Sequence, residues 1–389
     1  MNKKVRIIVT VISDLVTDQR VHKVCTTLSN NGYDVLLIGA KRKGSLPLSK
    51  RSYKAERIHL IFQKKFLFYA EFNTRLFLKL LFTRCDIILG NDLDVMPASY
   101  LASKIKRKAL VYDTHEYYLG MPELNGRPFI KNVWKKIEEY IFPRLTYAYT
   151  ICKSFCDLYY KDYGKSLWYI RNVPFLHYTE TNQFEKEKIE IDKKIPAGKH
   201  ILLFQGAGIN VDRGVEELIL SMVYMDPLRF HLIVVGGGDI FETIVGLVNE
   251  KKLNDRITII RKVPFEVLKH ITKKASLGFT VDKPNNINHI YGLPNKIFDY
   301  LHAGVPVLST KLIELENIIT EYKVGTFLEN NDPIHIAETV TSIFDNPQLL
   351  ETWKANTINV KQELNWENEE KILLKIFDKV CKESGLIHE

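Results

Sequence analysis

The 389-residue chain is poor in the residues that staple or anchor a protein by covalent or lipid means. Its cysteines, Cys25, Cys85, Cys152, Cys156 and Cys381, are scattered and odd in number. Cys152 and Cys156 stand one helical turn apart without the second pair that a zinc site requires. The pattern therefore reads as reduced thiols in a cytoplasmic protein, not as a disulfide framework. No apolar run approaches the ~18 residues of a membrane span. The opening Met1-Asn-Lys-Lys-Val-Arg-Ile-Ile-Val-Thr-Val-Ile resembles a signal peptide in hydropathy. However, Asp14 follows at once and no small-residue cleavage site precedes the helical pattern from Gln19, so a buried first strand fits better. Internal repeats and low-complexity stretches are lacking as well.

What is present is an ordinary globular composition, 46% hydrophobic and 26% charged, long enough for two domains with full cores. Charge is divided unevenly. Up to Asn172 there are 30 Lys and Arg against 15 Asp and Glu, and the remainder reverses the sign with 25 against 31. Basic clusters occur at Lys41–Lys43, Lys50–Arg51, Lys64–Lys65 and Lys104–Lys108, the third interleaved with Phe66, Leu67, Phe68, Tyr69, Phe72, Leu76, Phe77 and Leu80. A basic, aromatic face suits an anionic membrane surface, and peripheral attachment to the inner face of the cell membrane is the expectation. Nucleic acid would give the same charge signal, but no nucleic-acid motif accompanies it. A solvated face over a core helix is the plain alternative.

Strands alternate with helices in both halves, which predicts parallel sheets covered on both faces. Strands are expected at Val5–Val11, Val35–Ile38, Asp86–Leu89, Ala109–Tyr112, Tyr147–Ile151 and Trp168–Ile170, then at His200–Phe204, His231–Val235, Ile257–Ile260, Leu277–Thr280, Val305–Leu308 and Gly325–Phe327. The expected organisation is a first domain over 1–172, a linker over 173–199, a second domain over 200–360 and a terminal helical segment over 361–389.

The segment Tyr291-Gly-Leu-Pro-Asn-Lys-Ile-Phe-Asp-Tyr-Leu-His-Ala-Gly-Val-Pro-Val-Leu-Ser-Thr310 carries the most information. Pro294 reads as a first helical residue, Gly304 as the stop, and Pro306 opens a short apolar strand. A helix N-terminus beside Asn295 and Lys296 can hold a diphosphate through backbone N–H groups, dipole and charge. Asp299, on the first turns, can accept from vicinal ribose hydroxyls. The segment resembles the donor-binding signature of retaining, nucleotide-sugar-dependent glycosyltransferases of the GT-B fold, family 4, in which two glutamates with seven residues between them flank a Pro-Asn-Lys-like turn. Here Asp299 stands for the second acid, Tyr291 occupies the place of the first, and Leu293, Asn295 and Lys296 form the turn.

The resemblance implies an α/β protein of two Rossmann-like parallel-sheet domains facing across a cleft, with the C-terminal helix returning to the first domain. It also implies a nucleotide-diphosphate sugar donor on the second domain and a glycan or lipid-linked acceptor on the first. The loop Gln205-Gly-Ala-Gly-Ile-Asn-Val-Asp-Arg-Gly214 follows a predicted strand and suits a phosphate, with Gly206 and Arg213 as its contacts. Relatives carry a further basic residue where Ala207 stands. Gly237, in a second glycine cluster, and Val263 are implied neighbours of the nucleotide. In the first half, Asp113, His115 and Glu116 cluster at a strand's carboxyl end, and the family places a histidine near the donor sugar, here His115. Asp14, Asp18 and Arg20 are expected to face the cleft, with Thr17 or Asp18 capping the helix, and Asn91 and Asp92 are further acceptor candidates. His22 reads as structural.

No carboxylate is assigned as a nucleophile. In this family the leaving phosphate is described as helping to deprotonate the acceptor, so Arg213, Lys296 and the helix N-terminus would neutralise the departing diphosphate. No metal is expected, although Asp92-Leu-Asp94 has the spacing of a metal-binding pair. The competing functions are a nucleotide-sugar epimerase of the same fold, and a catalytically silent sugar-nucleotide-binding protein, which the Tyr291 and Ala207 departures favour.

Overall fold

The computed structural model describes residues 4–16, 18–177 and 182–386. The chain divides into two compact units, Met1–Asn172 together with Glu369–Glu389, and Val173–Asn368.

In the first unit seven strands, β1 (Arg6–Thr10), β2 (Asp34–Lys41), β3 (Lys54–His59), β4 (Ile87–Asn91), β5 (Ala109–Asp113), β6 (Tyr147–Thr150) and β7 (Trp168–Tyr169), lie in the order β3-β2-β1-β4-β5-β6-β7. All neighbours are parallel. Ile7, Ile8 and Val9 of β1 are fully buried, as expected where helices cover both faces of a sheet. β3 has no counterpart among the expected strands. Its sequence Lys-Ala-Glu-Arg-Ile-His is polar because it is an edge, paired on one side only.

The second unit repeats the plan with β8 (His200–Gly206), β9 (Phe230–Gly236), β10 (Ile257–Arg261), β11 (Leu277–Thr280), β12 (Val307–Thr310) and β13 (Gly325–Leu328), ordered β10-β9-β8-β11-β12-β13. Its core is a continuous apolar cluster that includes Phe204, Ile219, Leu232, Phe279, Leu308 and Val340. In each unit the first strand has its sequence successor on one side and a later strand on the other. That switch point opens a crevice at the strands' carboxyl ends.

The stretch expected to be a linker differs from the reading above. Residues 178–181 lie outside those described, but Glu185–Asp192 is a helix of the second unit, and Asp192 takes His270 Nε2 at 2.7 Å and Lys274 Nζ at 3.0 Å. Its Glu/Lys-rich sequence hides a helix because Lys188 and Ile191 are its only buried residues. The last two helices are Pro347–Glu363 and Trp366–Glu383. From Glu369 onward the last helix belongs to the first unit. There Thr27 Oγ1 donates to Glu370 at 2.8 Å, Tyr147 Oη to Glu383 at 2.7 Å, and Tyr33 meets Cys381 Sγ at 3.8 Å.

Candidate active site

The second unit's site is built where β8 and β11 part. Two residues past the end of β11, Asp282 is 2% exposed and is shared by two cations. Arg213 Nη1 lies 3.2 Å from its Oδ1 and Lys296 Nζ 3.5 Å from its Oδ2. Burial pushes the Asp282 carboxyl up, but Lys296 and Arg213 outweigh it and hold it below the usual range. Burial lowers the Lys296 ammonium, which Asp282 opposes, and Phe204 offers its ring face at 4.4 Å. Two cations against one carboxylate leave the cluster positive.

The local backbone explains how Arg213 reaches this place. Gly214 has φ +71°, and a Cβ there would stand 2.1 Å from the Val281 carbonyl oxygen, so only glycine lets the loop close on the end of β11. The loops after β8 and β9 interlock similarly: Ile209 N–H donates to Gly237 O at 2.8 Å, and a Cβ on Gly236 would lie 1.9 Å from Gly206 O. Gly206 itself is not crowded, since a Cβ would meet nothing nearer than 3.8 Å. Lys262, next to the half-buried Val263, packs over Gly237.

The helix expected to begin at Pro294 begins at Lys296, and its residues run to His302. Pro294 and Asn295 instead form the tight turn before it, accepting from Ile297 N–H at 3.4 Å and Phe298 N–H at 3.1 Å. Leu293 is buried and Asn295 exposed. Asp299 is half-buried and accepts from Gln205 Nε2 at 3.2 Å, while Gln205 Oε1 is held by the Thr272 hydroxyl at 2.8 Å. Lys296 and Asp299 thus face the end of β8, and Lys296 shares Asp282 with Arg213. The sequence reading missed Asp282 and Gln205. Asp282 had one signal, a lone acid directly beyond an apolar strand, of the same kind that singled out Asp92 and Asp113.

In the first unit the ends of β4 and β5 carry a denser charge cluster. Arg20 is 3% exposed and grips Asp113 with Nε at 3.1 Å and Nη2 at 2.8 Å, and its Nη1 donates to Ile170 O. The expectation that Arg20 faces a cleft is therefore corrected: a fork-to-fork pair with a buried carboxylate fixes it inside the unit. His115 stands between two acids, with Nδ1 3.2 Å from Asp92 Oδ2 and Nε2 3.2 Å from Asp113 Oδ2. Its backbone N–H also donates to Asp92 Oδ1 at 2.8 Å. Asp92 adopts φ 62°, a left-handed conformation that aims both of its oxygens at His115.

Burial disfavours the His115 imidazolium, but Asp92 and Asp113 overcome this and push it up to about 9. Burial likewise opposes ionisation of Asp113, yet Arg20 and His115 bring it down to about 2. His115 is thus a cation at neutral pH. Its Nε2 sits at ion-pair distance from Asp113 but off the direction of a hydrogen bond, and it is sealed without a hydrogen-bond partner among the described residues. Asn91 is buried and donates to Thr10 O at 2.9 Å, leaving its Oδ1 unpaired among the described residues.

The remaining candidates have local duties. Asp18 caps the helix Gln19–Asn30 by accepting from Val21 N–H at 3.0 Å, and takes the Ser13 hydroxyl at 2.7 Å. Asp14 forms a turn with Val16 N–H at 3.1 Å and lies 3.6 Å from Arg57. Thr17 is outside the described residues. His22 is structural, as expected, bonded to Tyr53 Oη at 2.8 Å. Burial pushes the Asp94 carboxyl well above its usual range. All five cysteines are free and buried, and no group of three or more His, Cys, Asp or Glu that could hold a metal occurs among the described residues.

Residues 185–360, inside the second unit, match the family model described as glycosyl transferases group 1. The chain is 24% identical over 288 residues to an uncharacterized glycosyltransferase of Methanocaldococcus jannaschii, spanning 71% of this chain and 70% of that protein. In structure it resembles sucrose-phosphate synthase from Thermosynechococcus elongatus, with a TM-score of 0.78, 16% identity, and coverage of 97% and 99% of the two chains. It also resembles Anabaena HepE crystallised with UDP-glucose, with a TM-score of 0.70, 13% identity and coverage of 96% and 99%. The fold is that of the GT-B glycosyltransferases.

Proposed function

We propose that this glycosyltransferase, whose second unit carries the group 1 domain, moves a sugar from a nucleotide-diphosphate donor onto a glycan or lipid-linked acceptor with retention of configuration. Synthesis of a cell-surface polysaccharide or glycolipid is the setting that fits such an acceptor. The observation that carries the reading is the pair Arg213 and Lys296, held together by the buried Asp282 at the β8–β11 switch point. A diphosphate placed there meets two cations and the start of the helix Lys296–His302. Those groups stabilise it further as negative charge grows on the departing phosphate. Asp299, steadied by Gln205, accepts from the ribose hydroxyls. On the first unit His115, held as a cation between Asp92 and Asp113, acts through its positive charge on the reacting sugar and not through a direct Nε2 contact. No nucleophilic carboxylate is invoked, and the departing phosphate takes the acceptor's proton.

The binding part is tested by thermal shift against nucleoside diphosphates and their sugars, and retention by the anomeric proton coupling of the product. The reading also predicts that excess EDTA leaves turnover largely intact, because Arg213 and Lys296 already supply the positive charge. Loss in EDTA with recovery in Mg²⁺ or Mn²⁺ would overturn the metal-free mechanism.

Membrane attachment is proposed on a corrected surface. Phe68, Phe72, Leu76 and Leu80 point inward and are fully buried or nearly so, so they form the core stripe of the helix Lys65–Phe82, not a membrane face. The outward groups are Phe66, 74% exposed, and Phe82, 87% exposed, with Ile61, Leu67, Lys64 and Lys65. Each near-surface cation adds ~1 kcal/mol at an anionic bilayer, screened over ~8–10 Å. Binding to anionic vesicles is expected at low salt and largely lost at high salt. The substitutions Lys64→Gln, Lys65→Gln and Phe66→Ser together should reduce it without affecting nucleotide binding, and equal partition onto neutral vesicles would contradict the proposal. Among the described residues no helix is long and apolar enough to cross a membrane.

A further inference from the structure

The first unit also has a basic cavity at the opposite edge of its sheet. It measures about 540 Å³ and is lined by the amino-end residues of three strands and the turn that precedes a fourth. Lys4 and Arg6 open β1, Asp34 opens β2, Arg51 and Lys54 lead into β3, and Arg84 precedes β4. Five cations therefore surround a hollow in which Asp34 is the only acidic lining residue among the described residues.

Their partners do not cancel that charge. Asp34 lies 3.4 Å from Arg6, whose Nε is sealed from solvent yet has no hydrogen-bond partner among the described residues. Arg51 spends its two terminal nitrogens on Tyr53 Oη and Leu15 O, both neutral, and its Nε is likewise buried and unpartnered. Lys4, Lys54 and Arg84 are exposed and make no ion pair among the described residues. The walls are fixed: Tyr33 is held by Cys381 and packs edge-on against Phe377, and Ser29 Oγ donates to Ser52 O at 2.9 Å. Like charges converging on a concave wall raise the local potential and concentrate anions. Donor and acceptor chemistry belongs to the carboxyl ends of the strands, so neither explains a cationic hollow at the amino ends.

We infer that this cavity is a second anion site, separate from the donor site, which takes a small ligand bearing two or more phosphate groups. Its size suits a phosphorylated sugar or nucleotide. Arg6 and Arg51 place fixed positive charge at the floor, and Lys4, Lys54 and Arg84 form an exposed cationic rim. The phosphates can come from a soluble metabolite or from a lipid headgroup.

The test uses inorganic pyrophosphate in isothermal calorimetry, with the full chain carrying Arg213→Ala and Lys296→Ala so that the donor site is silenced. Pyrophosphate should still bind, and adding Lys54→Gln and Arg84→Gln, both at exposed positions, should weaken it at least tenfold with little change in melting temperature. Arg6→Gln is the deeper variant and should do the same. Vesicles containing phosphatidylglycerol separate the sources: unchanged vesicle binding by the Lys54→Gln/Arg84→Gln variant identifies a soluble ligand, and parallel loss identifies a headgroup. Either result supports the site. Absence of pyrophosphate binding in the silenced chain, or undiminished binding after the rim and floor substitutions, would overturn it.

Discussion

Lys296→Ala should weaken nucleoside diphosphate binding by well over tenfold. The substitution removes a charge-assisted contact worth ~1.5–3 kcal/mol. It also leaves Asp282 buried with Arg213 as its remaining ion-pair partner among the described residues, so a carboxylate that was shared now bears more strongly on the incoming phosphates. A second effect follows from that geometry. Asp282→Asn added to Lys296→Ala should recover part of the lost affinity, because the repulsive charge goes with it. Alone, Asp282→Asn should change the pH dependence: burial already lowers the Lys296 ammonium, and the carboxylate opposes that. Without it Lys296 loses its proton at lower pH, so binding should fall off earlier as pH rises than it does in the parent protein. Calorimetry across pH 6–10 reads both effects. Unchanged affinity in Lys296→Ala and Arg213→Ala alike would remove the diphosphate from this place.

His115→Gln should lower turnover by ~10²-fold or more, the usual scale for a positioned charged or proton-bearing group. Glutamine keeps a hydrogen-bond donor but not the charge that Asp92 and Asp113 support. The sign of the pH effect is fixed by the raised folded value of about 9. The charged histidine stabilises the fold fully below its unfolded value of ~6.5, and that contribution disappears as pH climbs through about 9. The melting temperature of the parent protein should therefore decline relative to His115→Gln between those limits. Turnover should stay level through neutral pH and drop near pH 9. Asp92→Asn should move both changes to lower pH, which a merely space-filling histidine would not show.

Much of the fold was legible because parallel strands buried on both faces must be nearly continuous apolar runs. Ile7-Ile-Val and Leu232-Ile-Val-Val235 are of that kind, and all six strands of the second sheet were expected within a residue or two of their observed ends. β3 escaped because an edge strand has polar neighbours and few apolar ones. The helix Lys65–Phe82 shows the reverse error. Phe68, Phe72, Leu76 and Leu80 recur every four residues, which is the signature of a buried stripe, but adjacent lysines made the whole segment look like a surface. At the candidate site, one segment carries Asn295, Lys296 and Asp299 together, so their proximity was legible in the sequence. The pairing of Asp282 was not readable beyond its place after a strand, because its partners Arg213 and Lys296 lie 69 and 14 residues away in sequence. Asp14 and Asp18 looked available for an acceptor, since a sequence does not show that nearby N–H groups claim an aspartate first.

The end of β8 and the helix Lys296–His302 are proposed to hold a nucleoside diphosphate by its phosphates and its ribose together. Calorimetric titration with the best-binding nucleoside diphosphate and its 2′,3′-dideoxy analogue, on the parent protein and on Asp299→Asn, tests it most directly. The parent should prefer the ribonucleotide by tenfold or more, since Asp299 loses two charge-assisted bonds with the analogue. Asp299→Asn should lose most of that preference at nearly unchanged melting temperature, and Asp299→Glu should keep it. Equal discrimination by the parent and Asp299→Asn, or no nucleoside diphosphate binding at all, would contradict the account.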